Sequence, residues 1–338
     1  MEIRETQPVT ITTISEVNPL DLQYGVKDKL VAPLKLEEYF ACQDSNQYVL
    51  IDASSIDQFP ALVEMADAQY EILLGQSIQK QFRRVATYLI DVTDSKSLLT
   101  WLFTHSTEKK LDWCLAQSKA GVFFQSTLGI KELAGYFRKF TRIRDGEGKW
   151  RYFRFADPYF FRYMMNTMKD TPEYLYRWFY IDNKPLIANY AVYDFQKSSF
   201  TIFRANDELA KYKNQLKPFI YDEYFEEMTS GFLAQRFVNK IINILEKDYQ
   251  QFYQNQPSDL GEFITNANDT AKSFSLKSEL ARGQFVLASI LMGRILSRED
   301  LKAVGFFSQS HSHENRKTKV LLNQVINNIN KRNLINGD

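Results

Sequence analysis

A chain of 338 residues exceeds the usual size of one domain, so two domains are expected, each long enough to bury its own core. Its 42 basic and 41 acidic side chains leave a formal net charge of +1, while 44% of the residues are apolar. That balance removes the general electrostatic pull on which a nucleic-acid binder or a polybasic membrane protein depends, so nucleic acid is not an expected partner.

The first residues, 1–34, are polar and β-branched and are broken by Pro8, Asn18 and Pro19, which reads as a leader packed loosely on the body or left mobile. They contain neither a basic n-region nor an apolar h-region, and the longest greasy run, FVLASILMG at 285–293, stops at Arg294, so no signal peptide or membrane span is expected. From residue 35 the pattern sharpens. QYVLIDA (47–53) reads as a strand and FPALVEMADA (59–68) as a helix, and YEILL, SIQKQFRRVA, TYLIDVT, KSLLTWLFTH, GVFFQS and LGIKELAGYFRKF continue the alternation. Next, TRIRDGEGKWRYFRFADP holds two strand-like runs around Asp145-Gly146-Glu147-Gly148, a hairpin whose Asp-Gly step supplies positive φ. In its second run Tyr152, Arg154 and Ala156 are expected on one side, with Arg151, Phe153 and Phe155 on the other. Asp157-Pro158 reads as a helix cap followed by proline at the first helical position.

TPEYLYRWF reads as a further helix, and LIANYAVYDF with SSFTIFRA as a closing hairpin. Beyond about 206 the strand signal stops. Helices are expected at roughly 221–253, with Phe237, Ile241, Leu245, Tyr249 and Phe252 on one stripe, at 259–273, over 275–296 and at 314–333. The expected fold class is α+β: an α/β-like mixed sheet with flanking helices over 35–205, then an all-α helical lobe over 206–338.

No motif carries chemistry. GEGK at 146–149 lacks the spacing of a phosphate loop, and no G-x-S-x-G elbow is present. Cys42 and Cys114 match no metal or redox spacing and read as reduced thiols of a cytoplasmic protein. Among the histidines, His105 reads as a cation at a helix C-terminus, and His311-Ser-His313 offers two metal ligands without a third. The acidic run YDEYFEEM (221–228) fits the first turn of a long helix, with Glu223 and Glu226 the residues a hydrolase would use. A non-enzyme without metal or cofactor is therefore expected.

What stands out is 14% aromatic residues, and an arginine series, Arg138, Arg142, Arg144, Arg151, Arg154, Arg162 and Arg177, set among Phe, Tyr and Trp. Arginine with aromatic side chains suits a protein interface, or single-stranded nucleic acid stacked on rings. The plainer use is internal, with Arg154 paired to Asp157 or Asp145.

The order of these segments and the hairpin with its D-G turn, its aromatic-F-R-F run and its D-P helix start resemble the type VI secretion effector chaperones, or adaptors, of the Tap or TEC type, whose domain is DUF4123. Asp145, Gly146, Tyr152, Phe153, Arg154, Phe155, Asp157 and Pro158 match that pattern. Tyr159 stands where the family has arginine, and Arg162 follows one turn later. The likeness spans about residues 47–190, with a weaker echo in the helices beyond 215. It implies a cytoplasmic, non-enzymatic carrier whose partners are a cognate effector protein and the VgrG spike protein. The residues expected to bind a partner are Arg138, Arg142, Arg144, Trp150, Tyr152, Arg154, Asp157, Tyr159 and Arg162.

Overall fold

The computed structural model describes residues 7–41, 44–108, 111–118, 121–250, 259–303, 305–306 and 313–335; Cys42, Phe252 and His311 lie outside the described residues. In chain order the elements are β1 (Val9–Ser15), α1 (Glu37–Phe40), β2 (Asn46–Asp52), α2 (Phe59–Met65), β3 (Tyr70–Ile72), α3 (Gln76–Phe82), β4 (Thr87–Asp91) and α4 (Lys96–Phe103). They continue as β5 (Val122–Ser126), α5 (Ile130–Phe137), β6 (Arg142–Asp145), β7 (Trp150–Tyr152), α6 (Pro158–Met168), α7 (Pro172–Phe179), β8 (Tyr180–Ile181), β9 (Lys184–Pro185), β10 (Ile187–Asp194) and β11 (Ser199–Ala205). After β12 (Ile220–Tyr221) come only helices: α8 (Glu223–Asp248), α9 (Leu260–Ser273), α10 (Glu279–Leu291), α11 (Arg298–Ala303) and α12 (Glu314–Ile335). The α+β class is as the pattern predicts.

Seven strands form one sheet in the order β1-β11-β10-β5-β2-β4-β3. The mixed sheet expected from alternating strands and helices is antiparallel at every hydrogen-bonded pair among the described residues. The reason lies in how the crossovers interleave. β2 and β3 run parallel, as a strand-helix-strand unit should, but β4 is inserted between them. β4 and β5 are likewise parallel and have β2 between them.

Both sheet faces are covered, so β2 is buried from Gln47 to Asp52 and β5 throughout. On one face Val49, Ile51, Ile90 and Phe123 pack with Phe59 of α2 and Leu98, Leu102 and Phe103 of α4. On the other, Phe124 meets Phe137 of α5 with centroids 5.3 Å apart, and Tyr190 meets Phe161 of α6 at 4.9 Å. Rings meeting edge-on supply much of this packing, which is where most of the aromatic excess is spent.

Residues 9–17 of the expected leader are packed on the body and not loose. β1 pairs with β11 along its whole length, from Val9 opposite Ala205 to Ser15 opposite Ser199, and Val9 and Val17 are fully buried. The strand signal also returns once after 206, because Ile220 and Tyr221 add a short parallel strand beside β6.

The chain divides into two compact units, Met1–Met228 and Thr229–Asp338, and the division falls inside α8. Residues 206–228 pack with the first unit: the Tyr224 ring stacks on Tyr174 at 4.3 Å, and Phe225 meets Phe153 at 5.7 Å. In the second unit Phe237, Ile241 and Leu245 of α8 form the expected stripe and pack on Ile264 of α9, Phe285 of α10 and Leu321 of α12, with Tyr249 partly buried beside them. Asp259 and Ser278 cap α9 and α10 through their side-chain oxygens.

Candidate functional site: the arginine and tryptophan face of the hairpin

The hairpin turn is set by Asp145 and Gly148. The Asp145 carboxylate accepts from the backbone of Glu147 (3.1 Å) and Lys149 (2.8 Å), while Asp145 N–H donates to the Lys149 carbonyl (2.9 Å). Residues 146–148 therefore form a three-residue loop, and the left-handed residue is Gly148, at φ +79°, not Gly146.

β6 and β7 pair with Arg142 opposite Tyr152, Ile143 opposite Arg151 and Arg144 opposite Trp150, and Ile220 of β12 lies beside Arg144. Alternation then sorts the side chains. On the inner face Ile143 is buried, and Arg151 donates to Asp145 (2.9 Å) and lies over the Tyr221 ring at 5.5 Å. The outer face carries Arg142, Arg144, Trp150, Tyr152 and Ile220. Trp150 is 60% exposed and Tyr152 and Ile220 are each 42% exposed.

Thr141 with Phe153 and Asp145 with Lys149 are hydrogen-bonded pairs, so Arg142–Tyr152 and Arg144–Trp150 are non-hydrogen-bonded pairs, whose side chains approach more closely. The Arg144 and Arg142 guanidinium groups accordingly sit 5.3 and 5.6 Å from the centre of the Trp150 ring. Among the described residues no carboxylate pairs with either arginine. The Tyr152 hydroxyl is anchored 2.9 Å from Thr87 Oγ1, and burial pushes its pKa up.

The other expected residues are tied inward. Arg154 hydrogen-bonds to neither Asp157 nor Asp145, although the Asp157 charge acts on it: its Nε and Nη2 both donate to Asp52 Oδ2 at the end of β2 (2.9 and 2.6 Å), and Nη2 also donates to Ser54 Oγ (2.9 Å). Asp157 is committed to α6, where its Oδ1 accepts from Tyr159 N (3.0 Å) and Phe160 N (3.2 Å). The expected alternation also ends at Tyr152, since the chain turns at Arg154, where Asp157 N–H donates to the Arg154 carbonyl (3.1 Å), and Phe153, Phe155 and Ala156 are all buried. Arg138 donates to Glu71 (2.7 Å) on β3, and Arg162 to the buried Asp194 (2.6 Å) while lying over the Tyr159 ring at 5.7 Å. Burial, with Asp194 adding to it, pushes the Tyr159 hydroxyl up to about 12. Arg177 lies over Phe219 at 5.4 Å, and burial lowers its pKa.

Two of the groups weighed for chemistry, His105 and the acidic run at Asp222, have structural partners. His105 lies one residue beyond the α4 C-cap, and its ring meets Phe195 at 4.7 Å. Asp222 precedes α8 and accepts from Phe225 N (3.1 Å) and the Tyr174 hydroxyl (2.7 Å). A polar cleft of about 560 Å³ is lined by Ser54, Asp57, His105, Asp112 and Cys114, and burial pushes the Cys114 thiol up, away from the thiolate a nucleophile needs. Among the described residues no three His, Cys, Asp or Glu side chains gather as a metal site, and no helix is long and apolar enough to cross a membrane.

The family described as "Domain of unknown function (DUF4123)" matches residues 47–173, from β2 to the start of α7. This segment is similar to the DUF4123 family. The DUF4123 family is associated with type VI secretion effector adaptors. No curated protein and no solved structure matches the chain.

The DUF4123 segment contains the hairpin, the Asp157 cap and the Arg154–Asp52 pair, while β10, β11 and β1, which complete the sheet, lie outside it. Sequence reasoning missed Asp52, Ser54, Thr87 and Ile220. Asp52 had a local signal, since an aspartate closing an apolar strand is a buried acid in need of a cation. Thr87 and Ile220 had none, because their partners lie 65 residues away and across a separate strand.

Proposed function

We propose that this protein is a cytoplasmic, non-catalytic adaptor. It captures a cognate type VI secretion toxin effector, keeps it soluble and loads it onto the VgrG spike. The observation that carries this reading is the DUF4123 match over residues 47–173. The outer hairpin face supports it independently: two arginines that have no carboxylate partner among the described residues lie over an exposed tryptophan, beside an exposed tyrosine and isoleucine. Arginine, tryptophan and tyrosine are the residues most enriched at interface hot spots. In this reading the first unit captures cargo and the helical second unit meets spike or effector. Because cargo is handed on, each interface is of standard size, on the order of 1,200–2,000 Å² in total, and exchangeable.

Co-expression with the products of the adjacent reading frames tests the proposal. An adaptor raises the soluble yield of one such product and co-purifies with it, and VgrG joins the complex. Absence of both effects for every neighbour contradicts it.

A second reading has one observation in its favour: an exposed indole beside two guanidinium groups is the kind of platform on which a nucleic-acid base stacks. It calls for retention on single-stranded DNA that collapses as salt rises, and the net charge of +1 weighs against it.

A further inference from the structure

We infer that the outer edge of β7 accepts an extended, acidic segment of a partner protein as an added strand. The inference deepens the adaptor reading and rests on the hairpin being a capture surface.

Three observations lead there. First, the small sheet runs β12-β6-β7, so β7 has no strand on its outer side among the described residues. The ladder parity fixes which backbone groups point outward: Thr141 with Phe153 and Asp145 with Lys149 bond inward, so Arg151 does too, and Trp150 and Tyr152 direct their N–H and C=O groups away from β6. A free edge of this kind is the template for strand addition. Second, edges that are to stay unpaired are usually blunted by charge, and the charge on β7 is turned away, because Arg151 is on the inner face and neutralised by Asp145. Its outward Trp150 ring is left to cover an incoming strand, while the Tyr152 ring is held by Thr87. Third, the charge beside the edge is complementary to acid only. Arg142 and Arg144 lean over Trp150, and strands stand about 4.8 Å apart, so a carboxylate on the added strand meets both guanidinium groups above the indole.

Backbone bonds would then supply affinity without regard to sequence, and the arginine pair would select alternate acidic residues. β7 spans only Trp150–Tyr152, so the added strand is short and its bond breaks readily, as handing on cargo requires.

Fluorescence anisotropy with the full chain tests this, using three labelled octapeptides: alternating glutamate and valine, the same with lysine for glutamate, and the acidic peptide with N-methyl groups on alternate amides. The acidic peptide is expected to bind, and the lysine and N-methyl peptides to bind at least about fivefold more weakly. The R142E/R144E double variant should lose the acidic peptide by a similar factor while melting like wild type. Equal binding of the acidic and N-methyl peptides overturns the inference, as does no binding of the acidic peptide, or oligothymidylate displacing it. Capture of a co-expressed neighbour, measured with the same preparation, separates the two readings. Capture without peptide binding removes strand addition and leaves the adaptor; peptide binding without capture of any neighbour counts against the adaptor.

Discussion

Replacing Arg154 by alanine separates support from contact. The Asp52 side chain is 4% exposed; its Oδ1 accepts from Ser54 N (3.0 Å) and Ser54 Oγ (2.6 Å), and among the described residues its Oδ2 accepts from Arg154 alone. Without the guanidinium, Oδ2 loses both of those hydrogen bonds on a buried side chain. A hydrogen bond to a charged group contributes about 1.5–3 kcal/mol, and the Arg154 side chain is 52% exposed, so water restores part of it. The expected loss is about 1.5–2.5 kcal/mol, or roughly 3–10 °C in the Tm of a unit this size. Lysine restores the charge but not the two-pronged bond, so R154K should fall between. Thermal unfolding followed by circular dichroism reads this directly, and capture of cargo by the folded R154A protein should stay at the wild-type level. A Tm for R154A within about 1 °C of wild type would refute the reasoning, because the buried acid would then have no need of its partner.

The outer face should behave in the opposite way. W150A and R142E/R144E should leave the Tm within about 1–2 °C of wild type, since these side chains are exposed, and should reduce cargo capture in a pull-down. At Gly121, φ is +105° and an added Cβ would stand 2.5 Å from the Leu50 carbonyl, so G121A should cost about 3 kcal/mol or more, visible as lost soluble yield, whereas G129A, with open space and an ordinary φ, should fold normally. Burial first of all pushes the Tyr159, Tyr174 and Tyr193 hydroxyls up from 10.0 to about 12. A raised folded pKa gives stability that is complete below pH ~10 and lost as pH rises toward about 12. In alkaline titration the tyrosinate absorbance of these three hydroxyls, read as the difference between wild type and Y159F, Y174F or Y193F, should therefore appear together with loss of circular dichroism, and that difference appearing near pH 10 with the fold intact would contradict it.

What the sequence made legible was local. Asp157-Pro158 announces its cap because the bonds it satisfies lie two and three residues ahead. The hairpin is equally readable, and alternation groups Arg142 with Arg144 and Trp150 with Tyr152, but that the two groups share a face follows only from the register set by the three-residue loop. What stayed hidden depends on distant chain. β1 carries a half-exposed, threonine-rich pattern typical of an edge strand, and its register is fixed only by β11, nearly two hundred residues on. Arg154 has acids within three residues, yet Asp157 is taken by its helix and the partner is Asp52, 102 residues away. Alternating strands and helices showed the crossovers, and no local signal says that β4 slips between β2 and β3.

The most direct measurement is the amount of neighbouring effector recovered with the tagged chain from co-expressing cells, compared between wild type, R142E/R144E and R154A. The account predicts recovery with wild type and R154A and its loss with R142E/R144E at unchanged Tm. Undiminished recovery with R142E/R144E, or none with wild type for any neighbour, would contradict it.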